Sequence, residues 1–68
     1  MVLIYVGNLD RRSTEANVRS AFEAYGQVTN INLGSGFAVV VMADDQQAQG
    51  AILDLNDEKS WVVRRMTA

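Results

Sequence analysis

Ile4-Tyr5-Val6-Gly7-Asn8-Leu9 is the stretch that decides how this chain is read. Ile4 and Val6 alternate with Tyr5, as in a half-buried strand with one aromatic on its outer side. The strand reads as residues 2–7 and runs straight into a polar connection, Asn8 to Arg12. A second apolar run, Gly36-Phe37-Ala38-Val39-Val40-Val41, follows further along the chain. Parity puts Phe37, Val39 and Val41 on one side of that strand and Ala38, Val40 and Met42 on the other. If the two strands are neighbours, Tyr5 and Phe37 share an open sheet face.

Between and beyond these runs the pattern changes period. Thr14 reads as a helix N-cap, with Glu15 favourably placed in the first turn. Val18, Ala21, Phe22 and Tyr25 then form one apolar helical stripe, and Gly26 reads as a left-handed C-terminal cap. Residues 27–33 read as a second strand with Val28, Ile31 and Leu33 inward. The change of parity between Val28 and Ile31 predicts a bulge. Asn30 and Asn32 face outward. Gly34-Ser35 predicts a very tight hairpin into the third strand, residues 36–42.

Asp44 is expected to cap a second helix whose buried stripe is Ala48, Ala51, Ile52 and Leu55. Gly50 inside it should weaken the helix by about 1 kcal/mol relative to alanine. Asn56 to Lys59 reads as a polar turn, and residues 61–66 as a fourth strand. Burying Arg64 in mid-strand would be costly, so Trp61 and Val63 are set inward and Val62, Arg64 and Met66 outward. The order β-α-β-β-α-β predicts an α+β, ferredoxin-like sandwich: a four-stranded antiparallel sheet with both helices on one face. The other face is left uncovered, which an antiparallel sheet allows.

Composition narrows the chemistry. The chain has 68 residues, enough for one small domain, and 49% hydrophobic residues, which favours a packed core over disorder. It has no cysteine and no histidine, so disulfides and most metal and nucleophile chemistry drop out. No phosphate-cradling glycine loop or paired carboxylate site is present. Asp44-Asp45 and Asp57-Glu58 stand at an expected helix start and turn, where acids have structural roles. The reading is therefore of a non-enzyme, without cofactor or metal. No apolar run approaches the roughly 20 residues that span a bilayer, and no basic leader precedes the first strand. A soluble, cytoplasmic protein is expected, or a nuclear one in a eukaryote.

On these residues the chain resembles the RNA recognition motif over essentially its whole length, residues 1–68 forming a single domain. The first-strand hexamer matches the family pattern at every position, and the family's stacking aromatic falls on Tyr5. The octamer Ser35 to Met42 departs from the pattern, which is basic, Gly, aromatic, Gly or Ala, aromatic, Val, any residue, aromatic. Phe37 keeps one stacking aromatic. Ser35 replaces the basic residue, Val39 the second stacking aromatic and Met42 an inward aromatic. The hairpin between strands two and three, usually long in the family, is nearly absent.

The resemblance implies single-stranded RNA binding, with single-stranded DNA as a further ligand. Bases would stack on Tyr5 and Phe37, beside Val39. Arg64 would supply charge, and Asn30 and Asn32 would add hydrogen bonds. Binding is expected to be weak and of low sequence specificity, because one stacking aromatic is missing, and the net charge of -2 with six basic residues lowers the affinity further. Arg11 and Arg12 read as solvent charges and Trp61 as core. A second reading stays open: two outward valines beside two aromatics make an apolar patch suited to a protein partner or a homodimer.

Overall fold

The computed structural model describes residues 1–58 and 60–66, without the side chains of Asp57 and Glu58. The elements run β1 (Val2–Gly7), α1 (Glu15–Glu23), β2 (Val28–Leu33), β3 (Ala38–Met42), α2 (Asp45–Glu58) and β4 (Val62–Arg65). They form a four-stranded antiparallel sheet in the order β2-β3-β1-β4. The two signature strands are thus the central neighbours. Tyr5 pairs with Val39 on one side and with Arg64 on the other.

Alternation along the strands makes the core. Val2, Ile4 and Val6 of β1, Val28 and Ile31 of β2, Ala38, Val40 and Met42 of β3 and Val63 of β4 are all buried. They meet Val18 and Phe22 of α1 and Ala48, Ala51 and Leu55 of α2. Ala21, Tyr25, Ile52 and Trp61 pack against this cluster half-buried. The bulge is where the parity change puts it: Val28 pairs with Met42 and Asn30 with Val41, leaving Thr29 as the extra residue. Its hydroxyl donates to the Val41 carbonyl at 3.1 Å.

Local hydrogen bonds start both helices. The Thr14 hydroxyl accepts from the Asn17 N–H at 3.2 Å, and an Asp44 carboxylate oxygen accepts from the Gln47 N–H at 2.9 Å. Each satisfies one of the free amides of a first helical turn.

Four expectations need correction. Gly26 is not a left-handed cap: α1 ends at Ala24 in a right-handed conformation, and Gly26 has no positive φ. Its bare Cα instead lies under the Gln47 side chain, which a methyl group there would displace. Leu33 faces the helix side opposite buried Ala38, yet it is exposed, because it ends its strand beyond the buried cluster. The hairpin turn centres on Ser35-Gly36, one residue later than expected. The Gly34 N–H donates to the Phe37 carbonyl at 2.8 Å, and Gly36 takes φ +79°, the left-handed conformation such a turn demands of its second central residue. Finally, Asn56, Asp57 and Glu58 continue α2 rather than forming a turn. The Asn56 side-chain oxygen holds the Val63 N–H of β4 at 3.1 Å instead of folding onto its own backbone. Lys59, the rest of that turn, lies outside the described residues.

Gly50 offers a direct test of the packing. A methyl group there would meet only Tyr25 Cδ1, at 4.0 Å, which is ordinary contact. Gly50→Ala should therefore gain about 0.5–1 kcal/mol of helix stability without strain. Thermal unfolding should rise by about 2–8 °C. A lower melting temperature would contradict the Tyr25–Gly50 spacing.

Candidate nucleic-acid interface

Register builds the uncovered face as rows of side chains running across the strands. The first row is Asn32, Val39, Tyr5 and Arg64, paired in that order from β2 to β4. The second is Asn30, Val41 and Leu3, extended to Met66, whose N–H donates to the Leu3 carbonyl at 2.8 Å. Gly7 and Val62 pair at the opposite end of the sheet, near Phe37. All six side chains expected at the site, Tyr5, Phe37, Val39, Asn30, Asn32 and Arg64, stand on this one face. No helix packs on it: the buried residues of both helices meet the other side.

Tyr5 and Phe37 form the centre. Their ring centroids are 6.5 Å apart and their planes differ by 16°. This is a near-parallel, laterally offset pair, within the range that aromatic quadrupoles favour. Phe37 is 41% exposed. A shallow depression of about 470 Å³ adjoins Tyr5, lined also by Arg64, Arg65 and Met66.

The charges around this face are few. Arg64 is exposed and forms no ion pair with the described residues. Arg65 points to the helix side, where its guanidinium pairs with Asp45 and donates to Gln49 at 3.1 Å. Arg19 sits on α1 between Glu15 and Glu23, 3.7 Å from each. Arg11 and Arg12 are exposed in the β1–α1 connection, as expected. The described residues contain no cluster of acids able to hold a metal ion, and no helix long and apolar enough to cross a membrane.

Asn8 fixes the end of β1. It takes φ 61°, a conformation asparagine tolerates better than most residues, and its side-chain amide donates to the Ser60 carbonyl at 2.8 Å. The next N–H, of Leu9, donates to the Gly36 carbonyl at 2.9 Å. The first bond ties the end of β1 to the segment that leads into β4, and the second ties it to the turn that precedes Phe37. The sequence reading passed over Leu3 as a member of the outer face. Its signal was available, since Leu3 precedes Tyr5 by two and so shares its side.

The sequence profile of the RNA recognition motif matches residues 4–60. The chain is 39% identical over 71 residues to RbpD of Nostoc sp. (strain PCC 7120 / SAG 25.82 / UTEX 2576), covering 93% of this chain and 74% of that protein. It is 37% identical over 59 residues to RNA-binding protein 4B of Homo sapiens, covering 87% of this chain but only 16% of that protein. Among solved structures, RNA Binding Protein PG1 superposes with a TM-score of 0.92 at 29% identity, covering 100% of this chain and 96% of that one. The RRM domain of S. pombe Puf1 superposes at 0.91 with 23% identity, covering 98% of this chain and 96% of that one, a likeness of fold. The chain belongs to the RNA recognition motif family.

Proposed function

We propose that the chain is a single-stranded RNA-binding module, with no catalytic activity, whose residues 1–68 act as one unit inside the cell. The observation that carries this reading is the near-parallel Tyr5–Phe37 pair, Phe37 exposed and Tyr5 half-buried, on the uncovered sheet face beside Arg64, which forms no ion pair among the described residues. Two unpaired bases stack on the two rings. Arg64 meets a phosphate or a base edge, and Asn32 and Asn30 offer donor and acceptor together on the edge strand. Family membership and relatives named as RNA-binding proteins support RNA as the ligand. With one free arginine among the described residues of the face, the electrostatic share of affinity is small and binding is weak, while stacking accepts any base and keeps sequence preference low.

A second reading rests on the row Val41, Leu3 and Met66. Beyond Asn30 at its β2 end the row is apolar, and Leu3 and Met66 are exposed. That row suits a protein partner or a second copy of the chain better than it suits phosphate.

Val39→Phe separates the two. Valine stands where the family pattern has a second stacking aromatic, and an outward position has room for the ring. Under the RNA reading, affinity for a random single-stranded RNA pool should rise by about 1 kcal/mol, roughly fivefold. Under the protein reading, the larger ring should break self-association seen by sedimentation, with no RNA binding. Unchanged mass together with unchanged RNA affinity would contradict both.

A further inference from the structure

Each of the two rings lies over a glycine. Gly7 follows Tyr5 by two along β1, so its Cα is on the same outer side. A methyl group there would come within 2.7 Å of Tyr5 Cε2 and 2.8 Å of the Tyr5 hydroxyl. At Gly34 a methyl group would stand 3.0 Å from Phe37 Cδ1 and would run into Cε1 and Cζ of the same ring. Neither glycine has a positive φ, so the backbone demands glycine at neither position. Gly36 is the contrast: its φ is +79°, and a methyl group there would make only an ordinary contact, 3.9 Å from the Leu9 carbonyl oxygen. The backbone accounts for Gly36, and the rings account for Gly7 and Gly34.

We propose that Gly7 and Gly34 are positioning residues of the stacking platform. Their bare Cα atoms let Tyr5 and Phe37 lie down on the sheet, which holds the two planes within 16° of each other. A side chain at either position would lift the ring above it. The atoms in conflict are the far ends of flexible side chains, so the fold can yield by turning the ring rather than by breaking the strand. The consequence for binding rests on the stacking reading above; the placement of the rings does not.

The test is a double-mutant cycle on the full chain with Gly34→Ala, Phe37→Ala and the two combined. Three quantities are measured: thermal unfolding, nuclear Overhauser contacts between the Phe37 and Tyr5 rings, and affinity for a random single-stranded RNA pool. Gly34→Ala should melt close to the wild type, lose the ring contact, and bind RNA about fivefold or more weakly. In the Phe37→Ala background it should cost nothing further. Additive losses in the combined variant would overturn the proposal, because they would place the effect in the hairpin backbone. So would a lost ring contact with unchanged affinity. If the wild type does not bind the pool, the stacking reading fails, and the ring contacts alone decide whether Gly34 seats Phe37. Should Gly34→Ala not fold, Gly7→Ala read against Tyr5→Ala completes the same cycle.

Discussion

Phe22→Ala is expected to take away most of the stability of this fold. Phe22 is fully buried and is the largest of the completely enclosed side chains. It projects from α1 into the cluster built by the inner sides of the sheet. Truncating a buried phenylalanine costs about 3–5 kcal/mol, from lost transfer energy together with the cavity left behind. A chain of 68 residues has a total stability of only about 3–10 kcal/mol at the usual 0.05–0.15 kcal/mol per residue. The loss is thus between a third and all of what is available. Thermal unfolding should drop by about 12 °C or more, and the variant can be unfolded at room temperature. A drop of less than about 5 °C would mean that Phe22 does not anchor α1 as the packing shows. RNA binding by this variant should fall in step with the folded fraction, since both rings depend on the sheet that Phe22 supports from behind.

Much of this arrangement is legible in the residues, for a definite reason. A strand has a side-chain period of two, so one outward aromatic fixes the side of every residue around it. Tyr5 thereby assigned β1, and Arg64, too costly to bury, assigned β4. The parity break between Val28 and Ile31 bracketed the bulge, and the register places it between Val28 and Asn30, with Thr29 as the extra residue. What escaped is set by geometry that no local period encodes. Gly34, Ser35 and Gly36 offer several turns of equal local merit. The choice of Ser35-Gly36 follows from the ladder on either side, which closes at Gly34 and Phe37. Leu33 has the inward parity expected of it, but burial also requires something to cover it. Gly26 illustrates the same limit. Its position after an apolar stripe reads as a cap, whereas its role is to leave space for Gln47, a residue from the other helix. In the site, membership of the face was readable from parity, but the attitude of the rings was not. Glycine two residues after an outward tyrosine is the signal that could have shown it.

Tyr5→Ala is the expected loss of function without loss of fold. Tyr5 sits in the central strand with Val39 and Arg64 as its direct neighbours, and its ring is partnered by Phe37. Its side chain is only partly buried and lies outside the core cluster. Removing an aromatic cross-strand contact costs about 0.2–1 kcal/mol of stability, far less than a core deletion. Removing a base-stacking ring costs about 1–3 kcal/mol of binding, which is roughly 5- to 150-fold in affinity. The two effects differ enough to be separated in one set of measurements. Melting should fall by no more than about 8 °C, while affinity for a random single-stranded RNA pool falls at least fivefold. Tyr5→Phe keeps the ring and loses only the hydroxyl, so it should retain most of the affinity. That pattern distinguishes stacking from hydrogen bonding by the hydroxyl, which would be lost equally in both variants. If Tyr5→Ala binds the pool as tightly as the wild type while remaining folded, the ring is not a base platform. The exposed face would then have to be read through its apolar row, Val41, Leu3 and Met66, as a surface for protein.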